Sequence, residues 1–338
     1  MKYQNTTKDN RQECTICPRY CKLKVDQTGF CKAYKNINGR IESLYYGKLS
    51  SMQIDPIEKK PLFHYYPESK TLSIGTLGCN LACRFCQNFP ISQTLSVLNS
   101  NYISPETICD LAQKYNCKSV SFTYNEPVVF IDYIIDTAKV LKENNIKTIV
   151  VSAGYMNQKP REDLFEYIDA CNIDLKGFTE KYYNQNCLCN LNPVLDTIKY
   201  IKHNTNTHME LTTLLIEGEN DNDEVIKRQT VWILENLGET IPMHFTAFFP
   251  SYKMKDKKQT SIETIKRAVK IAKDAGLKYV YGGNVDNEEM NTTFCHNCKK
   301  PIISRRNINI EDSINIDNDG KCVFCKTKIP GVFDKIDF

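Results

Sequence analysis

The chain has 338 residues, of which 41% are hydrophobic and 25% are charged, and its formal net charge is +4. This length allows one large domain or two to three smaller ones, and the mild charge does not indicate a dedicated nucleic-acid surface. The polar first residues, MKYQNTTKDNRQEC, lack the apolar segment of a secretory signal. No stretch reaches the length of a membrane span, so we expect a cytoplasmic protein.

Sixteen cysteines are a high count for this chain, and most of them fall into three groups. Because nothing in the sequence indicates secretion, we interpret the grouped thiols as metal ligands rather than as disulfides. The groups divide the chain into three predicted segments. These are a four-cysteine N-terminal extension (1–66), a central core (67–288) and a small C-terminal domain (289–338).

The N-terminal extension contains Cys14, Cys17, Cys21 and Cys31, separated by two, three and nine residues. This spacing does not select one metal. Four thiolates hold a zinc ion in many proteins, and they also fill all four ligand positions of an auxiliary 4Fe-4S cluster. Both alternatives stay open. An auxiliary cluster would pass electrons to another cluster or lie beside the substrate.

Seven apolar, β-branched runs in the central segment predict strands, and the amphipathic stretches between them predict helices. The predicted strands are 71–76, 119–124, 148–153, 170–175, 210–216, 243–248 and 279–281. One helix is predicted to begin at Ser104, and others span about 128–143, 193–204, 222–237 and 261–275. This alternation predicts an α/β fold with a parallel sheet. The first six strands fit a partial (β/α)6 barrel, similar to a TIM barrel, with its chemistry at the carboxyl ends of the strands.

Cys79, Cys83 and Cys86 follow the first predicted strand. Three thiolates leave one iron of a 4Fe-4S cluster without a protein ligand. A zinc site fits less well, because zinc sites usually take four ligands and their cysteines usually come as CxxC pairs. The loop, with Phe85 before its last cysteine, resembles the CxxxCxΦC loop of radical S-adenosylmethionine (SAM) enzymes. The resemblance implies that the open iron binds the amino and carboxylate groups of SAM, whose reductive cleavage gives a 5′-deoxyadenosyl radical.

Polar residues follow the second and third predicted strands. The run Thr123-Tyr-Asn-Glu-Pro127 resembles a Gly-Gly-Glu-Pro-like segment that contacts the SAM amino group in radical SAM enzymes. The resemblance implies this role for Glu126, although Tyr124-Asn125 replaces the glycines; a helix-start turn is the alternative. The third strand ends in Ser152-Ala-Gly154, whose hydroxyl and glycine suit the approach of a ribose or adenine, as they also suit a plain turn.

Charged residues and a histidine lie on or directly after the fourth and sixth predicted strands. Asp174 and Lys176 alternate onto one face of an otherwise buried strand, which is costly unless the pair is functional or mutually paired. They resemble the Asp-x-Lys segment of glycyl-radical-enzyme activases, which implies contact with the SAM carboxylate; a structural ion pair is the alternative. His244 matches an activase histidine near SAM, although a lone strand histidine is more often structural. The loop after the fifth strand resembles an activase Ile-Pro-Gly-x-Asn-Asp loop, with Glu217 in place of proline.

Two CxxC pairs, Cys295/Cys298 and Cys322/Cys325, lie near the C-terminus and are separated by 23 residues. This arrangement is typical of a zinc ribbon, in which two pairs close one tetrahedral site. A rubredoxin-like iron site is the alternative. A segment with so small a core needs a metal to fold, so we predict a structural four-cysteine site and favour zinc.

Further motifs extend along the chain. They are the leading Cys-x-x-Cys-Pro-Arg-x-Cys, Asp-Pro-Ile-Glu-Lys-Lys-Pro-Leu at 55–62, Cys-Gln-Asn at 86–88 and Tyr-Val-Tyr-Gly-Gly-Asn at 279–284. Together with the C-terminal cysteines, they resemble the radical SAM member of the AmmeMemoRadiSam system, related to pyruvate formate-lyase activating enzyme. The resemblance implies genomic association with Memo-like and AMMECR-like proteins as partners, and an electron donor such as flavodoxin or ferredoxin.

The first functional hypothesis is therefore a radical SAM oxidoreductase that abstracts hydrogen from an unidentified substrate. The cluster and SAM would supply the chemistry, so no side chain is assigned a catalytic role of its own. One version activates a glycyl-radical enzyme, and another modifies a small molecule or peptide with an auxiliary cluster. The hypothesis from another class is a zinc-ribbon binding module without catalysis, which would leave the cysteine loop at 79–86 without a purpose.

Overall fold

The computed structural model describes residues 2–93, 100–306, 309–310 and 314–333. Strands and helices are numbered in chain order. The strands are β1 (Gln4–Thr6), β2 (Gln12–Cys14), β3 (Lys22–Leu23), β4 (Tyr34–Ile37), β5 (Arg40–Ser43), β6 (Ser51–Pro56), β7 (Lys70–Gly75), β8 (Ser119–Phe122), β9 (Lys147–Ser152), β10 (Ala170–Asp174), β11 (His208–Leu215), β12 (Met243–Ala247), β13 (Val280–Gly283), β14 (Thr293–Phe294), β15 (Pro301–Ile303), β16 (Arg305–Arg306) and β17 (Asn309–Ile310). The α-helices are α1 (Phe89–Ser92), α2 (Pro105–Lys114), α3 (Ile131–Glu143), α4 (Gln158–Phe165), α5 (Glu180–Tyr182), α6 (Asn192–Asn204), α7 (Asp223–Leu237), α8 (Ile262–Ala275) and α9 (Glu288–Asn291).

An eight-stranded sheet has the hydrogen-bonded order β13-β12-β11-β10-β9-β8-β7-β6. β7 to β9 pair in parallel, and so do β11 to β13. Strands β7 to β13 are the seven predicted strands, with ends displaced by at most two residues. The α/β class is therefore confirmed, whereas the partial barrel stays a prediction.

The sequence did not predict β6. Main-chain hydrogen bonds from Ser50 N to Gly75 O and from Ile57 N to Ser69 O, both 2.9 Å, run it antiparallel to β7. Half of its side chains are exposed and a single one is buried, so the apolar alternation that identifies a half-buried strand is missing.

The helices begin largely where the sequence predicts. The Ser104 side chain caps α2 by accepting a hydrogen bond of 3.2 Å from the main-chain N–H of Thr107, and Pro105 occupies the first helical position. The sequence did not predict α4, because QKPREDLF has a mostly polar composition. None of the described helices is long and apolar enough to cross a membrane.

Two compact units are defined by contacts within the chain. Unit 1 comprises Met1–Asp55, Thr71–Ala170 and Asn184–Thr207, and unit 2 comprises Pro56–Lys70, Cys171–Tyr183 and His208–Phe338. Both units therefore draw on separated parts of the chain. The division into three sequential segments stays a prediction.

Candidate functional site

The loop after β7, in unit 1, carries Cys79, Cys83 and Cys86. Cys83 is buried, and the other two are partly exposed. Phe85 is also buried, which accounts for an aromatic side chain before the last cysteine. The Sγ of Cys86 lies 3.2 Å from the Oγ of Ser92, the last residue of α1. Three potential sulfur ligands are therefore held in one short segment.

Gly78 and Asn125 fix the start of this loop. Gly78 has a φ of +92°, and a Cβ on it would lie 2.2 Å from the carbonyl oxygen of Cys31, so only glycine fits. Asn125 holds both sides of the turn: its Oδ1 accepts from Thr76 N at 3.2 Å, and its Nδ2 donates to Gly78 O at 2.8 Å. Asn125 thus explains part of the departure from the Gly-Gly-Glu-Pro pattern, because its side chain positions the cysteine loop.

Tyr124 accounts for the other part of that departure. Its φ of +71° is a conformation that glycine adopts without strain. Glycine is the residue at this position in the Gly-Gly-Glu-Pro-like segment that the run resembles. The Tyr124 hydroxyl donates to Oδ2 of Asp55 at 2.9 Å, which anchors the strained residue.

Glu126 and Ser152, predicted separately, are in direct contact in unit 1. Ser152 Oγ donates to Glu126 Oε1 at 2.5 Å, and the main-chain N–H of Ala153 donates to Oε2 at 2.8 Å. Both predicted residues are buried. Burial and the nearby Glu126 carboxylate raise the pKa of the Cys79 thiol well above its ordinary value. Glu126 also follows directly on Asn125, whose side chain holds the start of the cysteine loop.

Asp174 and Lys176 form an ion pair in unit 2, with 2.9 Å between Oδ2 and Nζ. Asn220 positions the main chain of Lys176, since its Nδ2 donates to the carbonyl oxygens of Lys176 and Leu214, both at 2.8 Å. Its Oδ1 accepts from Ile216 N at 2.7 Å. Asn220 belongs to the loop that resembles the activase Ile-Pro-Gly-x-Asn-Asp segment, and it links the ends of two strands.

His244, also in unit 2, is buried in a polar network. Its Nε2 lies 2.7 Å from Oε2 of Glu210, whose Oε1 lies 3.1 Å from Nε2 of His208. The His244 ring also packs against Phe63 and Tyr281. Burial favours a raised pKa for the Glu210 carboxyl, but the hydrogen bonds of the two histidines hold that pKa well below its usual range. A contact between His244 and SAM stays a prediction, and the structure gives this ring a different partner.

The four C-terminal cysteines come together in unit 2. The Sγ atoms of Cys295 and Cys325 are 3.5 Å apart, those of Cys298 and Cys322 are 3.8 Å apart, and all four lie within 4.8 Å of one another. The first cysteine of each pair accepts a main-chain hydrogen bond from the residue four positions later and donates one to the residue five positions later. The separations between the four sulfur atoms fit one tetrahedral ion with bonds of about 2.3 Å to sulfur.

The four N-terminal cysteines line one cavity of unit 1, together with Asn80 of the cysteine loop. The structure therefore gathers this predicted set as well.

Residues 73–230 match the radical SAM superfamily. An uncharacterized protein of Methanocaldococcus jannaschii is 40% identical over 323 residues, which cover 95% of this chain and 96% of that protein. The chain belongs to the radical SAM superfamily. The 4-hydroxyphenylacetate decarboxylase activating enzyme of Clostridium scatologenes is 24% identical to this radical SAM protein over 165 residues, or 47% of this chain and 53% of that enzyme. Thus the chain spans about half the length of the activating enzyme it matches.

A solved structure shows the same fold. Streptococcus suis SuiB bound to S-adenosylmethionine aligns with a TM-score of 0.51 and 16% identity, over 68% of this chain and 53% of that chain. The predicted relationship to activating enzymes is confirmed at the level of the superfamily. Membership of the AmmeMemoRadiSam system stays a prediction.

Sequence reasoning assigned no role to Asn125 or Asn220 in this radical SAM protein. Each side-chain amide joins the loop that follows one strand to the loop that follows another. Both residues lie in segments that resemble radical SAM motifs. That location was the sequence signal that could have drawn attention to them. Their partners lie 44 to 49 residues away in the chain, which spacing patterns do not show.

Proposed function

We propose that this radical SAM enzyme holds a 4Fe-4S cluster on Cys79, Cys83 and Cys86 and binds SAM at its open iron. The observation that supports this most directly is the buried Glu126 carboxylate beside a loop with three cysteines. Thiolates are the donors that such a cluster requires, and a buried carboxylate suits an ammonium group. When bound, the cluster and SAM supply a radical that takes a hydrogen atom from the substrate.

In unit 1, Glu126 would accept hydrogen bonds from the amino group of SAM. Ser152 Oγ and Ala153 N already donate to this carboxylate, so they fix its orientation. Ser152 would lie close to the ribose or adenine. Buried side chains of the loop, such as Leu81 and Phe85, would help to exclude water and oxygen.

In unit 2, the resemblance to activases assigns Lys176 to the SAM carboxylate. The ammonium group is partly exposed, and Asp174 holds it through the ion pair. The C-terminal cysteines would bind zinc as a structural ion, because four sulfurs at these separations suit one tetrahedral centre. The partial barrel and the Memo-like and AMMECR-like partners stay proposals from the same resemblance.

The substrate version that we favour is activation of a partner protein by hydrogen abstraction. The support is the similarity to an activating enzyme over 47% of this chain. Modification of a small molecule or peptide is the second candidate, and the gathered N-terminal cysteines favour it.

SAM cleavage tests the cluster assignment. We expect the anaerobically reconstituted, dithionite-reduced protein to convert SAM to 5′-deoxyadenosine and methionine, measured by liquid chromatography and mass spectrometry. Cys83→Ala should abolish this, whereas Cys109→Ala, at a buried cysteine of α2, should not. Cleavage that persists in Cys83→Ala, or wild-type protein that takes up no iron, would contradict the proposal.

A further inference from the structure

The four N-terminal cysteines of unit 1 border a small cavity with a largely apolar lining. Ile16, Leu23, Val128 and Val129 contribute to that lining, and the first two approach it from the N-terminal extension itself. Such surroundings keep water away from a bound group. Four thiols that meet in a dry cavity have the ligand chemistry of a metal centre.

The C-terminal centre provides a comparison for these cysteines. There, within the described part of the chain, all four sulfur atoms lie within 4.8 Å of one another. The N-terminal cysteines line the cavity described above. A Cβ placed on Gly29 would lie 3.8 Å from the Sγ of Cys31 and 3.9 Å from that of Cys21, so both sulfurs face one shared space.

A zinc ion and an iron–sulfur cluster require different distances between the sulfur atoms of their cysteine ligands. Around one zinc ion, four sulfurs at about 2.3 Å from the metal are in contact with one another. In a 4Fe-4S cluster each cysteine binds a different iron, so the sulfurs lie farther apart. The narrow C-terminal arrangement therefore fits a single ion. The N-terminal cysteines adjoin the loop cysteines through the hydrogen bond between Cys79 and Cys31, and this position fits a cluster that exchanges electrons with the loop.

We propose that Cys14, Cys17, Cys21 and Cys31 hold a second 4Fe-4S cluster that passes electrons to the cluster on the 79–86 loop. This inference rests on the proposed function for its electron acceptor, but the site itself does not. With all four irons ligated by protein, the second cluster has no open position for SAM. Its role is then electron transfer.

The path between the two cysteine groups is short. Cys79 N donates a hydrogen bond of 3.1 Å to the carbonyl oxygen of Cys31, so ligands of the two groups are joined by one main-chain hydrogen bond. Gly78 is required for this approach, as its Cβ would collide with the same carbonyl oxygen. Asn80, the next residue after Cys79, lines the N-terminal cavity.

Arg19 places a positive charge beside the same path. It lines the N-terminal cavity, its Nε donates to Asn80 O at 2.5 Å, and its guanidinium lies 3.4 Å from the centre of the Phe30 ring. A cation there favours the reduced, more negative form of a neighbouring cluster. In the transfer, a one-electron donor of the ferredoxin or flavodoxin class reduces the second cluster. That cluster is reoxidised as the loop cluster gains the same electron, and no proton is needed.

Metal analysis tests the site. We would measure iron, sulfide and zinc per chain, after anaerobic reconstitution, in the wild type, in Cys79→Ala/Cys83→Ala/Cys86→Ala and in Cys17→Ala/Cys21→Ala. Cys109→Ala is the matched control. We expect about eight irons in the wild type and the control and about four in either variant, with about one zinc in all of them.

Electron paramagnetic resonance (EPR) tests the roles without relying on turnover. After reduction, the loop variant should give a cluster signal that SAM does not change, and the Cys17/Cys21 variant should give one that SAM shifts. The fully reduced wild type should show broadening from the interaction of two nearby clusters. The milder Cys21→Ser replaces the double variant if circular dichroism shows that the latter is unfolded.

The outcomes separate this proposal from the proposed function. If the loop variant contains no iron, or contains about two zinc ions per chain, the second cluster is refuted. The assignment of the radical SAM cluster to the 79–86 loop of the wild type would still stand. If the loop variant keeps its iron and the Cys17/Cys21 variant is folded but contains no iron, the second cluster is supported and the loop cluster is refuted. A doubly reduced wild type without magnetic interaction would overturn the electron-transfer role.

Discussion

The charge of Glu126 is the property most open to a test at the scale of a single residue. Glu126→Gln keeps the size of the side chain but removes the charge, and a hydrogen bond to a charged group contributes about 1.5–3 kcal/mol. We therefore expect the affinity for SAM to fall by about tenfold or more, with the iron content unchanged. Anaerobic equilibrium dialysis with labelled SAM measures the affinity. Glu217→Gln, which removes a carboxylate from unit 2 at the start of α8, serves as the control; equal affinity in Glu126→Gln and wild type would refute the assigned role.

His64, in unit 2, makes stability depend on pH. Its Nδ1 lies 2.6 Å from the carbonyl oxygen of Pro330 and its Nε2 lies 2.6 Å from the Tyr281 hydroxyl, so the neutral ring satisfies both contacts with its proton on Nδ1. Burial lowers the pKa of His64 to about 4. Since the unfolded histidine titrates near 6.5, the unfolded chain binds more protons between the two values. Stability should therefore decrease as pH falls from about 6.5 to about 4, by up to roughly 3 kcal/mol.

Urea unfolding across this pH range checks the prediction for His64. His64→Gln should be less stable than wild type at pH 8, and its stability should fall less steeply below about pH 6.5. His203→Gln, at an exposed histidine of α6, should reproduce the wild-type slope. A slope in His64→Gln equal to that of the wild type would assign the pH dependence to other groups.

At the scale of elements, the loop after β11 caps α8. Oε1 of Glu217 accepts from the N–H and the Oγ of Ser261, at 2.9 and 2.7 Å, and from Oγ1 of Thr264 at 2.8 Å. These hydrogen bonds lower the pKa of Glu217. A carboxylate at a helix N-terminus also interacts favourably with the helix dipole. Glu217→Gln should therefore lower the free energy of unfolding by about 1 kcal/mol at pH 7.

The sign of its pH dependence follows from the lowered pKa. The stabilisation by Glu217 is fully present above the pKa of the unfolded glutamate, and it is lost as pH falls through the lower pKa of the folded state. The difference between wild type and Glu217→Gln in urea unfolding should thus shrink toward pH 3. Glu235→Gln, at an exposed carboxylate of α7, should show little difference at either pH. A constant difference for Glu217→Gln at both pH values would contradict the capping role.

Glu217 also shows where sequence reasoning reaches its limit. Apolar runs predicted β7 to β13, because burial on both faces of a parallel strand leaves a strong local pattern. The capping role of Glu217 depends on Ser261, 44 positions later, so the residue was visible only as a replacement for proline. The three loop cysteines were predictable because their spacing is local. The partners of Asn125 and His244 were not, because they come from other strands and loops.

At the scale of the whole molecule, the C-terminal cysteines belong to the hydrophobic core of unit 2. Cys295 and Cys322 are buried in a cluster with Phe63, Tyr279 and Tyr281, of which Tyr281 lies on β13 of the large sheet. Tyr279 also places its hydroxyl 2.8 Å from Nδ1 of His296, inside the first CxxC pair. A metal at this site therefore stabilises more than the predicted C-terminal domain (289–338, here called the tail), because the cysteines that hold it pack directly on residues at β13.

Removal of this metal should destabilise β13 together with the tail. We expect a zinc chelator to lower the unfolding temperature by roughly 10 °C or more, because binding energy at a structural site contributes directly to folding. Hydrogen exchange should then accelerate in β13 as well as around Cys295 and Cys322. Cys298→Ser should reproduce both effects without chelator, whereas Cys171→Ser, at a buried cysteine of β10, should leave exchange around the C-terminal pairs unchanged. Exchange that accelerates in the tail but not in β13 would show that the tail folds as a separate domain, as the sequence predicts, and would refute a common core.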